Sequence, residues 1–197
     1  MNLEILCKQV QELAKEVGLF INGERQKFTS EDIIHKGKAD MVTYVDKTAE
    51  ARIVAKLREI LPDSGFIAEE GTAKDNGEKF RWVIDPLDGT FNFSRGVPLC
   101  SVSIALVEGT EPILGVIYDF NRGDLFYGIV GEGAWRNEGE PIHVSNVTQA
   151  SKGILITGFP IRMDLSMEAL QPFMKKILRF KKIRMIGTAA LSLAYVA

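Results

Sequence analysis

The stretch Trp82-Val83-Ile84-Asp85-Pro86-Leu87-Asp88-Gly89-Thr90 runs an apolar segment into two carboxylates three residues apart, followed at once by Gly-Thr. Phe80 to Ile84 reads as a buried strand, and Pro86 biases Asp85 towards extended geometry, which places the first carboxylate at the strand's end. The chain must then turn. Leu87 offers a main-chain carbonyl between the two acids, and Gly89 permits a tight turn or a close backbone approach to a ligand. If Gly89 and Thr90 open a short helix, their N–H groups favour an anion. Carboxylate and carbonyl oxygens suit a hard cation such as Mg²⁺, with waters and a substrate phosphate completing its shell. A bare Asp-x-x-Asp spacing is more often a solvated turn with Thr90 as a helix cap, so the rest of the chain has to decide between the two.

Upstream, Ser64 to Ala68 is a short apolar approach to Glu69-Glu70-Gly71, which alone would be a charge pair at a strand end. Glu69 stands 16 residues before Asp85 with the charged loop Lys74 to Lys79 between them. Two strand ends joined that way can set Glu69 beside Asp85. Carboxylates crowded there with Asp88 repel one another unless a cation sits among them. Earlier still, Lys36-Gly37-Lys38-Ala39-Asp40 leads into Met41-Val42-Thr43-Tyr44-Val45-Asp46. Asp46 reads as the N-cap of a helix whose apolar stripe is Ala49, Ile53, Val54, Leu57, Ile60 and Leu61. Near the end, Ile186-Gly187-Thr188-Ala189-Ala190 reads as a Thr cap before an apolar helix.

Asp85-Pro86-Leu87-Asp88-Gly89-Thr90-Phe91-Asn92-Phe93 resembles the signature of the inositol monophosphatase family, Mg²⁺-dependent phosphomonoesterases that include bacterial and archaeal sugar phosphatases. The Glu69-Glu70, Lys36 to Asp46 and Gly187 to Ala190 segments are similar to further segments of that family. The resemblance implies a layered αβαβα sandwich and hydrolysis of a phosphate monoester, inositol 1-phosphate or a related sugar phosphate, by a metal-activated water. It implies two or three Mg²⁺ ions in the complete enzyme, held in part by Glu69, Asp85, the Leu87 carbonyl and Asp88. Glu69 and Thr90, backed by Asp46, orient the water. Substrate contacts fall to Leu87, Asp88, Gly89, Thr90, Gly187, Thr188, Ala189 and Lys36, with Lys38 the other candidate lysine. Lithium inhibition and a homodimer are further implications. Fructose 1,6-bisphosphate and a nucleotide 3′-phosphate are alternative substrates within the superfamily. A non-catalytic phosphate-binding or interaction module is the alternative of another class.

Composition sets outer bounds. A chain of 197 residues, 46% hydrophobic and 25% charged, is long enough to bury a core. Its net charge of −2 gives no general attraction to nucleic acid or to an anionic membrane. The basic run from Lys175 to Arg184 reads as a solvated helix face. Two cysteines, Cys7 and Cys100, suggest reduced thiols in a cytoplasmic protein. With two histidines, a His-based zinc site is not expected.

Periodicity predicts an amphipathic helix over residues 2 to 21, a second from Asp46 to Leu61, and then antiparallel strands at Phe80–Ile84, Leu99–Val107, Ile113–Phe120 and Leu125–Ile129. Trp82 and Trp135 are expected in the core. A strand near Ile154, a helix at about 165 to 179 and a strand at 182 to 186 follow. The expected division is an N-terminal α+β domain at 1–145 carrying the metal site, and the start of a C-terminal α/β domain at 146–197. The last apolar helix has no stop signal. Family members continue into a Trp-Asp segment whose Asp completes the second metal site, so the resemblance implies that this α/β chain is C-terminally incomplete.

Overall fold

The computed structural model describes residues 1–28, 33–35, 41–73, 77–159, 164 and 166–197. Helix α1 (Leu3–Arg25) starts where Asn2 accepts the Ile5 N–H at 3.1 Å. It buries Leu6, Val10, Leu13, Val17 and Ile21 and continues beyond the expected end at residue 21 to Arg25. After the short antiparallel strands β1 (Ile33–His35) and β2 (Met41–Thr43) comes helix α2 (Tyr44–Ile60). Its start is a capping box rather than a cap at Asp46. Thr43 is the N-cap, and Asp46, in the first turn, reaches back to the Thr43 N–H.

Both helices lie on a seven-stranded sheet of order β3-β4-β5-β6-β7-β8-β9. The strands are β3 (Gly65–Ala68), β4 (Phe80–Asp88), β5 (Ser101–Glu108), β6 (Glu111–Asp119), β7 (Asp124–Ile129), β8 (Gly133–Arg136) and β9 (Glu140–Pro141). A meander of antiparallel strands runs from β4 to β9, and β3 pairs parallel to β4 with Ala68 opposite Ile84. Alternation along β4 and β5 turns Trp82, Ile84, Ile104 and Leu106 into the core, where they join Ile53 and Leu57 of α2. Trp82 also donates its indole N–H to Ser64 at 3.0 Å. Trp135 does not share that burial; it is half-buried and stacks on Tyr127 with centroids 5.5 Å apart.

Strand β4 does not stop at Asp85 as expected. It runs on through Pro86 to Asp88, and between Asp85 (opposite Ser103) and Asp88 (opposite Ser101) it slips in register. Three steps on β4 match two on β5, so one residue is extra. Pro86 sits in that bulge, where its missing N–H costs the ladder nothing.

Helix α3 (Thr90–Ser94) follows β4 directly. In the last part of the chain, β10 (Ile154–Ile156) pairs parallel to β11 (Lys182–Arg184), with helix α4 (Met167–Ile177) between them in sequence. Helix α5 (Ala189–Ala194) packs on β5 and β6. Leu193 and Ala194 line a cavity of about 470 Å³ with Ser103, Ala105 and Ile117. Helices and sheet thus form a layered mixed α/β fold. Among the described residues no helix is long and apolar enough to cross a membrane.

Candidate active site

The strands β3 and β4 run side by side, and β3 ends opposite Ile84 while β4 continues to Asp88. Their parallel pairing carries on past Ala68, where the Glu69 N–H reaches the Ile84 carbonyl at 3.3 Å, so Glu69 leaves β3 level with Asp85. The Glu69 carboxyl group acts directly on that of Asp85. Burial, the Glu69 charge and the Asp88 charge, in that order, push the Asp85 carboxyl up to about 9. The Asp85 carboxylate also accepts the Leu87 N–H at 3.1 Å, which partly opposes the rise. Acids crowded together under a third negative charge are the arrangement a cation would relieve. The donors here are all oxygens, with the Leu87 carbonyl in the same loop, and such a set suits a hard divalent ion.

Asp88 also clasps the last helix. Its Oδ1 accepts the Ala189 N–H at 3.1 Å, and its Oδ2 accepts the Ala190 N–H at 2.7 Å and the Thr188 hydroxyl. It holds the N-terminus of α5, where a negative charge is favoured. Among the described residues no three His, Cys, Asp or Glu side chains form a ready cage. A carboxylate has lone pairs for both tasks, so Glu69, Asp85 and the Leu87 carbonyl fit an ion, and Asp88 can add to them.

The second half of the site is the Thr90 hydroxyl. Its Oγ1 lies 2.9 Å from Asp46 Oδ1 and 3.1 Å from the Leu87 carbonyl, so its single proton always has an acceptor. Asp46 is buried on α2, and its other oxygen is bonded by the Thr43 N–H at 2.8 Å and by the Thr43 hydroxyl. Burial pushes the Asp46 carboxyl up, against the hydrogen bonds from Thr43 and Thr90 that pull it down. The capping box of α2 therefore also anchors Thr90.

Gly89 makes the turn between β4 and α3 with φ +97°, and a Cβ there would stand 2.8 Å from the Leu99 carbonyl. No side chain caps the N-terminus of α3. Gly89→Ala combines left-handed strain with a backbone clash. It is expected to cost about 1–3 kcal/mol in a urea titration and to displace Thr90 from Asp46.

Gly187, Thr188 and Ala189 meet this loop through Asp88 and through Asn92. The Asn92 amide donates to the Leu99 carbonyl at 2.8 Å and to the Ile186 carbonyl at 2.7 Å. It lies 2.9 Å from where a Gly187 Cβ would be, and Gly187 has φ +72°. Asn92 drew no role from the sequence; nothing in its spacing reveals a partner more than ninety residues away. Lys36 and Lys38 fall outside the described residues.

Known proteins carry the same design. Residues 2–197 match the inositol monophosphatase family. A fructose-1,6-bisphosphatase/inositol-1-monophosphatase of Aquifex aeolicus is 39% identical over 173 residues, which cover 87% of this chain and 65% of that protein. A Nus factor SuhB of Xylella fastidiosa is 40% identical over 185 residues, 93% of this chain and 66% of that one. The chain thus spans slightly less than two thirds of the length of either relative. Among solved structures, the extragenic suppressor protein suhB of Bartonella henselae superimposes with a TM-score of 0.85 at 31% identity, over 98% of this chain and 74% of that one. With the strand-end acids, the Thr90 anchor and the Gly187–Ala190 turn in one loop cluster, the chain belongs to the inositol monophosphatase family.

Proposed function

We propose that this protein hydrolyses a phosphate monoester with Mg²⁺ as cofactor and water as the nucleophile. The observation that carries the reading is the Glu69–Asp85 carboxyl pair, just past the end of β3 and level with it on β4, next to a loop whose Thr90 is fixed by Asp46. Glu69, Asp85, the Leu87 carbonyl and Asp88 hold the metal. Bound Mg²⁺ supplies Lewis acidity, which lowers the pKa of water and offsets charge gathering on the phosphate. Glu69 takes the proton of the attacking water. Because the Thr90 proton is committed to Asp46 or to the Leu87 carbonyl, its lone pairs accept from that water and aim it. Gly89 and Thr90 N–H groups bind phosphate oxygens, a fixed electrostatic contribution. Gly187, Thr188 and Ala189, clasped by Asp88 and Asn92, border the rest of the substrate, and Lys36 is the further substrate contact.

The substrate on this reading is inositol 1-phosphate or a related sugar phosphate, and the name of the Aquifex relative adds fructose 1,6-bisphosphate to the panel. Two or three Mg²⁺ ions, lithium inhibition, a homodimer and a cytoplasmic setting in which buried Cys7 and Cys100 stay as thiols complete it. The test is phosphate release from inositol 1-phosphate, fructose 1,6-bisphosphate and a nucleoside 3′-phosphate, with Mg²⁺ and with a chelator. Mg²⁺-dependent release from at least one supports the proposal, and release unaffected by the chelator overturns it. A second reading, an interaction module, is favoured by the Xylella relative, which bears the name of a Nus factor. It predicts Mg²⁺ binding without phosphate release from any of the three.

A further inference from the structure

Helix α2 carries two carboxylates one turn apart on its apolar stripe, Asp46 at 2% exposure and Glu50 at 0%. The first is accounted for by Thr43 and Thr90. Glu50 has no part in the chemistry above, yet a fully buried carboxylate is costly unless its oxygens are saturated. Its Oε2 accepts the Glu70 N–H at 2.7 Å and its Oε1 accepts the Thr72 N–H at 2.9 Å. Both donors belong to the turn that begins at Glu69.

We infer that Glu50 is a positioning residue that holds the Glu69 turn in register with Thr90. The inference rests on the metal-site reading of Glu69 given above. Around that turn the Glu69 N–H goes to the Ile84 carbonyl and the Gly71 N–H to the Ala68 carbonyl, while Glu50 takes the two N–H groups between and after them. The backbone on either side of the Glu69 side chain is thereby tied, to β4 on one side and to α2 on the other. Asp46 does for Thr90 what Glu50 does for Glu69. Since both acids project from one rigid helix, the spacing between the group that takes the proton and the group that aims the water is set by a single helical turn. A leucine at position 50 would fill the same place among Val45, Ala49, Ile53 and Val54 without burying a charge, but it would leave both turn N–H groups unsatisfied.

Glu50→Gln keeps the shape but turns an NH₂ towards one N–H donor. The expected result is faster amide hydrogen exchange at Glu70 and Thr72, with Mg²⁺ affinity measured by calorimetry falling about 10–100-fold, the usual effect of removing a partner that orients a ligand. Phosphate release should fall most at low Mg²⁺ and recover in part at high Mg²⁺. Glu50→Asp keeps the charge at shorter reach and should lie between, and it carries the same measurements if the Gln variant does not fold. Exposed Glu59→Gln on the same helix should match the parent chain. Parental Mg²⁺ affinity in Glu50→Gln, whatever its melting temperature, overturns the inference alone. A parent chain that neither binds Mg²⁺ nor releases phosphate removes the proposed function, and the inference with it.

Discussion

Glu69→Gln is expected to abolish phosphate release while leaving the fold in place. Glutamine matches glutamate in shape, but it cannot take a proton and is a poorer ligand for a hard cation. Loss of a positioned general base alone costs about 10²–10⁴ in rate. The metal contribution falls with it, because the same side chain serves both. Stability should hold or rise, since the change removes one of the charges that crowd Asp85. Phosphate release measured alongside a thermal melt separates the two effects. Activity close to that of the parent chain would sink the assignment of Glu69.

The second large effect is a pH dependence that Mg²⁺ reverses. Asp85 is pushed up to about 9 by burial and by the charges of Glu69 and Asp88. An unfolded chain releases that proton near the ordinary aspartate value of about 3.9. Between these values the folded state holds a proton that the unfolded state has lost. The Asp85 contribution to stability is therefore fully present at low pH, and it is lost as pH rises through that window. Mg²⁺ has to displace the proton, so its affinity should climb with pH, by as much as about tenfold per unit, and level off near the folded-state value. Asp85→Asn has no such proton. In urea titrations across the window it should lack the fall seen in the parent chain, and it should gain no stability from Mg²⁺. A parent chain and an Asn variant with the same pH slope and the same Mg²⁺ response would remove Asp85 from the metal set.

Much of the site could be read from local sequence because its parts are local. Asp85, Leu87, Asp88, Gly89 and Thr90 share one turn, and an apolar run before them is enough to place that turn at a strand end. The apolar stripes of α1 and α2 are equally self-contained. What stayed hidden is what depends on pairing. The run from Trp82 looks finished at Asp85, and only the partner strand reveals the bulge that lets β4 carry Pro86 to Asp88. Asp88 reads as a metal ligand from its spacing, which gives no sign of its contacts with Thr188, Ala189 and Ala190. Glu50 was the one residue with a local signal that went unused: a carboxylate inside a stripe of Val45, Ala49 and Ile53 is out of place by the ordinary rule of burial. Trp135 misled for the opposite reason, as its size suggests the core while β8, near the sheet edge, leaves it partly exposed.

The clasp of Asp88 on α5 also sets an order of events in synthesis. Asp88 and Thr188 are 100 residues apart, whereas Glu69, Asp85, Thr90 and Asp46 are all translated before β5 is complete. As the chain leaves the ribosome, the acids and the α2 sequence that anchors them emerge well before the segment that carries Thr188. For that interval Asp88 has no helix to cap, and its carboxylate is free to join Glu69 and Asp85. Once Thr188 arrives, the same carboxylate also holds the start of α5 and ties that helix to the acid cluster.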